Sequence, residues 1–333
     1  MSTTVFVLGA TGYIALHVVK DLIKKGYSVV GSVRSEAKGE KLTKQFGGKF
    51  TYEVVPDISI EGAFDEALKK HPEVTVFLHT ASPFHFDVTD VEKQLLVPAI
   101  EGTVNALKAI KEHGPQITRV VITSSYVATC SLEDDGDTSL VITEDSWNRI
   151  TWEQALQDPV SGYYGSKAFA EKAAWDFYKN EKPNFILSTV NPGYVFGPQA
   201  FDEDVSGTLN TSAEIINGLL KLNKTDSVPF YKGVYIDVRD VAKAHLVAFE
   251  SDEAKEERLL LTENRFYSQQ LLDILHSKFP EYAHNLPVGK PGQGDPVGVK
   301  VDNEKTRKIL GFDFIDLEGT TVDTLKQIID ANK

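Results

Sequence analysis

Six short runs of β-branched and aromatic residues, each followed by a stretch long enough for a helix, constrain this chain more than any other feature. The runs are Val5 to Leu8, Ser28 to Val33, Phe50 to Val55, Thr75 to His79, Ile117 to Thr123 and Phe185 to Val190. Between them lie Ile14 to Lys25, Glu36 to Phe46, Ile60 to Lys70, Asp90 to His113 and Gly162 to Asn180. Strands joined by helix-long crossovers pair parallel, so the pattern predicts an α/β fold with a doubly wound parallel sheet. After about Pro192 the rhythm breaks. Helices are expected at Val238 to Glu250, Ser268 to Lys278, Asn303 to Leu310 and Leu317 to Ile329, forming a smaller, mainly helical lobe. Gly233 to Asp237 and Arg258 to Thr262 read as strands that return to the first sheet, so the two parts are expected to interleave.

The first run ends in Gly9-Ala10-Thr11-Gly12-Tyr13-Ile14-Ala15 and enters a helix. This strand, turn and helix is the context in which a glycine-rich turn holds a dinucleotide pyrophosphate. Gly9 allows the tight turn, Gly12 lets backbone approach the phosphates, and the small Ala15 lets helix and strand pack closely. The helix amino terminus adds free N–H donors and positive potential. An ordinary glycine-rich turn is the alternative, and its place at the start of a βα rhythm argues against it. The sheet is therefore expected to be of Rossmann type. Residues 1–190 plus about 231–262 would form the nucleotide-binding domain, and about 191–230 plus 263–333 the substrate lobe.

The second strand ends Gly31-Ser32-Val33-Arg34, without the acid that would bind a ribose 2′-hydroxyl and repel a 2′-phosphate. Arg34 can fork onto a phosphate, Ser32 can donate a hydrogen bond, and Lys38 adds a second charge one helical turn on. NADP(H) is expected over NAD(H). Solvated surface cations are the alternative, weightier for Lys38 than for Arg34.

Ser161-Gly-Tyr163-Tyr164-Gly-Ser-Lys167 opens a helical stretch in which Tyr163 and Lys167, four apart, share a face, whereas Tyr164 faces Ala168. A phenol titrates near 10, so proton transfer near neutrality benefits from a neighbouring ammonium. The fifth strand ends Thr123-Ser124-Ser125-Tyr126, where parallel sheets gather ligand groups, and a serine there can hold a substrate oxygen. Spacing alone does not choose between Ser124 and Ser125.

Taken together, Gly9-x-x-Gly12-x-x-Ala15, Leu78-His-Thr-Ala-Ser-Pro83, Thr123-Ser-Ser-Tyr126, Tyr163-x-x-x-Lys167, Asn191-Pro-Gly-Tyr-Val-Phe-Gly-Pro198 and Gly233-Val-Tyr-Ile-Asp-Val-Arg-Asp-Val-Ala242 make the chain resemble the extended short-chain dehydrogenase/reductases. Within them it is similar to the dihydroflavonol-reductase-like branch, near the yeast NADPH-dependent methylglyoxal, 3-methylbutanal and ketone reductases. The likeness covers nearly the whole chain. It implies that hydride passes to a carbonyl carbon while Tyr163 protonates the oxygen, Ser125 positions that oxygen and Lys167 also holds the nicotinamide ribose. Asp57 and Ile58 would flank the adenine, and Thr80, Pro192, Val195 and Ser212 would line the rest of the cofactor groove. One departure is Ala99, which stands where many members carry a proton-relaying asparagine.

Phe84, Tyr126 and Tyr194 are the first candidates for an apolar substrate wall, with Phe86 and Phe230 behind them; packing between the two parts is the alternative. His79, His245, Asp240 and the lone Cys130 are read as structural. The expected activity is NADPH-dependent reduction of small aldehydes, 2-oxoaldehydes or ketones. Rival readings are a reductase or epimerase of larger substrates, such as flavonoids, steroids or nucleotide sugars, and an NADP-sensing protein without chemistry.

Charge narrows the partners. Lys and Arg number 35 against 48 Asp and Glu, a formal net charge of -13 without a local basic patch, which argues against nucleic acid and anionic membranes. One cysteine rules out an internal disulfide, and no spacing suits a zinc site, so no metal is expected. With no leader and no apolar run near the roughly 20 residues of a membrane span, a cytoplasmic monomer or homodimer is expected.

Overall fold

A computed structural model describes residues 3–81, 88–205, 209–293 and 297–333. Its strands are β1 (Thr4–Leu8), β2 (Ser28–Val33), β3 (Phe50–Val54), β4 (Val74–His79), β5 (Arg119–Thr123), β6 (Val141–Ile142), β7 (Ile186–Pro192), β8 (Tyr194–Phe196), β9 (Lys232–Asp237), β10 (Arg258–Leu261), β11 (Asn264–Tyr267) and β12 (Lys300–Val301). The α-helices are α1 (Tyr13–Lys25), α2 (Glu36–Phe46), α3 (Asp65–Lys70), α4 (Val97–His113), α5 (Trp152–Ala155), α6 (Pro159–Glu181), α7 (Thr211–Leu220), α8 (Val238–Glu250), α9 (Ser268–Lys278), α10 (Pro280–Ala283), α11 (Glu304–Leu310) and α12 (Leu317–Ala331).

Seven strands form one sheet in the order β10-β7-β5-β4-β1-β2-β3. From β3 through to β7 every neighbouring pair is parallel. This is the Rossmann-type order, with its switch point between β1 and β4. Every residue of β1 is buried, which is why it reads as an unbroken apolar run rather than an alternating one. Phe6 and Phe77 stack at 5.0 Å across the β1–β4 pair, and Val30, Val120, Ile122 and Leu187 continue the same buried layer.

Three helix starts differ from expectation, each for a local reason. Helix α6 begins at Pro159, ahead of Gly162, because the Asp158 carboxylate accepts the Val160 and Ser161 amides at 2.8 and 3.0 Å and Pro159 suits the first helical position. The stretch from Asp90 does not enter α4 directly. Pro98 has no N–H to donate backward, and the chain widens into a π-turn over Glu92–Leu96 just before it. Helix α3 starts only at Asp65, since Gly62 takes φ +77° in the turn before it.

The chain divides into two compact units: residues 1–191, 242–260 and 299–310, and residues 192–241, 261–298 and 311–333. Strand β10 joins the large sheet as expected, but β9 does not. It pairs parallel with β8 and antiparallel with β11, because Tyr235 and Phe266 bury against Phe196 in an aromatic core of their own. Residues 231–241 therefore lie with the second unit. Residues 299–310, expected in the smaller lobe, lie with the first: β12 pairs with β6, and the Thr306 amide and hydroxyl donate to Glu144 Oε1 at 2.8 and 2.6 Å.

Candidate active site

The phosphate turn is made of backbone. Gly9 takes φ +78°, and a Cβ there would stand 2.8 Å from the Cβ of Ala81, so glycine alone lets β1 end this close to the chain leaving β4. Ser32 ties the turn from the next strand: its Oγ accepts the Gly9 amide at 2.9 Å and its carbonyl accepts the Ala10 amide at 3.0 Å. Ser32 thus points inward and braces the loop, rather than standing out to meet a phosphate. Gly12 donates to the Gly9 carbonyl at 3.0 Å and begins α1 without any side-chain cap. Uncapped amides at a helix start suit a phosphate. Gly12 is exposed, and Thr11, Tyr13 and Ile14 around it are half-buried. On the far side, Thr80 donates to the Leu8 carbonyl through its amide at 3.1 Å and its hydroxyl at 2.5 Å.

Arg34 and Lys38 are exposed just beyond β2. Glu36, at the start of α2, accepts the Tyr52 hydroxyl at 2.7 Å. Asp57 receives the Ser59 hydroxyl and amide at 2.7 and 2.9 Å; these bonds, with the Arg34 charge adding, hold its carboxyl below the usual range. Ile58 packs on Gly102 of α4, and Asn105 Nδ2 donates to the Ser59 carbonyl at 2.9 Å, so the Asp57 to Ser59 turn is fixed to that helix. A glycine turn closed against Ala81, an uncapped helix start and two exposed cations fit a dinucleotide with a 2′-phosphate.

The second cluster is made of side chains. Helix α6 lies close against the start of the π-turn, where a Cβ on Gly162 would collide with Val91 Cγ1. The next residue is Tyr163, and the Lys167 ammonium stands 5.8 Å from the centroid of its ring. Lys167 is half-buried, and desolvation of its ammonium pushes its pKa down to about 8. Ser125 is buried beyond the end of β5, its Oγ accepting the Val127 amide at 3.3 Å, and the Tyr126–Ala128 turn that follows packs on α6. The two serines that spacing left equivalent now differ, since the Ser124 hydroxyl donates to the buried Glu171 carboxylate.

His79 is buried, with Nε2 3.4 Å from the Gly102 carbonyl; desolvation, with the Lys167 charge adding, pushes it down to about 4, so it is neutral. His245 Nε2 meets Thr123 Oγ1 at 2.7 Å, and Asp240 accepts the Ile315 amide at 2.7 Å. Ala99 is buried and brings only its carbonyl, which accepts the Thr103 hydroxyl at 2.9 Å. Cys130 is buried. Among the described residues no group of His, Cys, Asp and Glu could hold a metal ion, and no helix is long and apolar enough to cross a membrane.

Phe84 and Phe86 lie outside the described residues. Tyr126 is buried at 7% exposure, which leaves little of it to face a substrate. Pro192, Tyr194, Val195 and Ser212 belong to the second unit. There Tyr194 is 38% exposed with its ring edge-on to Phe266 at 5.4 Å, Val195 is buried and Ser212 is half-buried on α7. Phe230, with its ring 5.6 Å from Tyr267, is 66% exposed. Sequence reasoning passed over Glu171, although it extends the row of Tyr163 and Lys167 by another four residues; an acid in a helix reads as a solvated face unless its buried partners are known.

Residues 5–260 match the model of the NAD dependent epimerase/dehydratase family. The chain is 50% identical over 335 residues to the NADPH-dependent methylglyoxal reductase GRE2 of Saccharomyces cerevisiae, covering 98% of each. The crystal structure of yeast methylglyoxal/isovaleraldehyde reductase Gre2 complexed with NADPH superposes with a TM-score of 0.97 at 49% identity, covering 99% of both chains. That of Gre2 in complex with NADPH from Candida albicans gives a TM-score of 0.97 at 52% identity, covering 99% of this chain and 100% of that one.

Proposed function

The chain belongs to the NAD dependent epimerase/dehydratase family, and we propose that within it the protein is an NADPH-dependent carbonyl reductase of small aldehydes, 2-oxoaldehydes and ketones. The observation that carries this reading is the pairing of Tyr163 with Lys167 on a helix packed against the Ser125 turn. A protein that only sensed NADP would have no use for it. Relatives named as reductases of methylglyoxal and isovaleraldehyde support the choice of substrates.

NADPH supplies the hydride that reduces the carbonyl carbon. The Gly9 to Ile14 turn holds its pyrophosphate, Arg34 and Lys38 its 2′-phosphate, and Asp57 and Ile58 flank its adenine. Thr80 lines the groove beside that turn. Ser125 donates a hydrogen bond to the substrate oxygen, and Tyr163 delivers the proton that turns that oxygen into a hydroxyl. Loss of this proton leaves a phenolate, which the Lys167 ammonium stabilises; with its pKa near 8, Lys167 is mostly charged at neutral pH. The enzyme works in the cytoplasm as a monomer or homodimer, which light scattering on the purified protein would decide.

The test is loss of NADPH absorbance with methylglyoxal, 3-methylbutanal and an aryl ketone, run against NADH and against Tyr163→Phe. Turnover that prefers NADPH and falls about a thousandfold in the variant is expected. Turnover untouched by the variant removes Tyr163 as the acid. Tight NADPH binding without turnover on any carbonyl leaves a sensor.

A further inference from the structure

Glu171 lies two helical turns beyond Tyr163 on α6, and its side chain has no solvent exposure. Its Oε2 accepts the Ser124 hydroxyl and Asn191 Nδ2, the latter at 2.6 Å. Its Oε1 accepts Arg258 Nε at 2.6 Å, the Thr189 hydroxyl at 3.2 Å and Trp175 Nε1 at 3.3 Å. Five donors surround the carboxylate, and they come from the ends of β5 and β7, from β10 and from α6 itself. Asn191 continues the chain of contacts: its Nδ2 also donates to the Ser125 carbonyl at 3.2 Å, and its Oδ1 takes the Thr189 hydroxyl at 2.9 Å.

This arrangement exceeds what burying one carboxylate requires. Arg258 has further partners, the carbonyls of Glu144 and Ser146 at 2.6 Å each and the face of Trp147 at 3.9 Å, so its charge does not depend on Glu171 alone. Glu171 also joins, by hydrogen bonds through Ser124 and Asn191, the helix that carries Tyr163 and Lys167 to the strand end that carries Ser125.

We propose that Glu171 is a positioning residue of the reduction, which acts through Asn191 and Ser124 to hold the Ser125 hydroxyl in register with Tyr163. The inference rests on the carbonyl reductase reading above. Misplacing a catalytic group by about 1 Å can cost a hundredfold in rate, so slack at this joint should be felt in turnover first.

Glu171→Gln keeps the volume and puts an NH2 where one oxygen stood. Facing the Oε2 partners, that NH2 confronts Asn191 Nδ2; Asn191 must flip to answer it and then lets go of the Ser125 carbonyl. Asn191→Ala cuts the same link without touching the Arg258 pair. Three quantities decide the matter, each per folded site counted by NADPH titration. In both variants kcat should fall about 10- to 100-fold, the NADPH dissociation constant should stay within twofold, and amide hydrogen exchange over residues 123–128 of the cofactor-free chain should quicken. Unchanged kcat per folded site, with melting temperature alone lowered, makes Glu171 a structural brace and overturns the proposal. A loss of kcat without any change in exchange at 123–128 overturns it too. Wild-type protein that binds NADPH yet reduces no carbonyl overturns the parent reading, and this one with it.

Discussion

At the end of β1 the proposed cofactor site is a backbone turn within six consecutive residues, whereas near the end of β5 the proposed catalytic groups are side chains from positions 125, 163 and 167, with the hydrogen-bonded cluster of 171, 191 and 258 beside them. The phosphate turn is local: one glycine with positive φ and one inward serine determine its shape. The proposed proton-transfer corner is assembled across more than a hundred residues, beside a buried carboxylate that faces five donors. Binding the cofactor and delivering the proton should therefore fail separately, and each substitution below tries to break that separation or to sharpen it.

The largest effect is expected from Lys167→Met, which strikes the side-chain corner. Reduction should fall by about 10²- to 10⁴-fold. In the wild type the rate should decline as pH rises through about 8, because Lys167 is charged below that value and neutral above it. The variant's residual rate should lack that decline. Stability moves the other way. Burial makes the folded chain hold this proton less tightly than the unfolded one, whose lysine titrates at the ordinary 10.5. Folding thus bears the desolvation cost below about 8 and is relieved of it as pH rises toward 10.5. Urea midpoints at pH 7.5 and 9.5 should show that gain in the wild type relative to the variant.

Gly9→Ala attacks the backbone corner. The positive φ and the 2.8 Å approach to Ala81 should cost about 1–3 kcal/mol of stability and about tenfold in NADPH affinity, read by thermal melting and fluorescence titration. Tyr163→Phe, by contrast, should leave NADPH affinity intact. Loss of affinity in Tyr163→Phe as well would show that the two corners are one.

Arg34→Ala is the mildest. A charge-assisted hydrogen bond to the 2′-phosphate is worth about 1.5–3 kcal/mol, so preference for NADPH over NADH should drop by about tenfold in the ratio of kcat/KM values. Equal losses with both cofactors would remove Arg34 from the 2′-phosphate site.

The same contrast governs how much could be read from the sequence. Strands β1 to β5 and β7, the turn after β1 and the Tyr163 to Lys167 spacing are written in local order, where period and glycine placement carry the information. Choosing Ser125 over Ser124 needed a family likeness, because spacing does not separate the two and the long-range contact of Ser124 with Glu171 is invisible in the sequence. Strand β9 looked like any other apolar run, and nothing within it reveals that its partners are β8 and β11 rather than the large sheet. The Asp158-Pro159 start of α6 was legible but overlooked; the π-turn before Pro98 was not, since a helical period continues through it.

The late segment 299–310 has a consequence for how the protein is made. A ribosome releases residues 1–191 long before Thr306, and until Thr306 arrives the buried Glu144 carboxylate lacks two donors and the Leu260 amide lacks its acceptor. The nucleotide-binding unit therefore cannot close in the order in which it is translated. Its nascent form waits, incompletely buttressed, for a helix encoded more than a hundred residues later, and a message cut short before that helix yields a chain whose first unit is left open, rather than a smaller working enzyme.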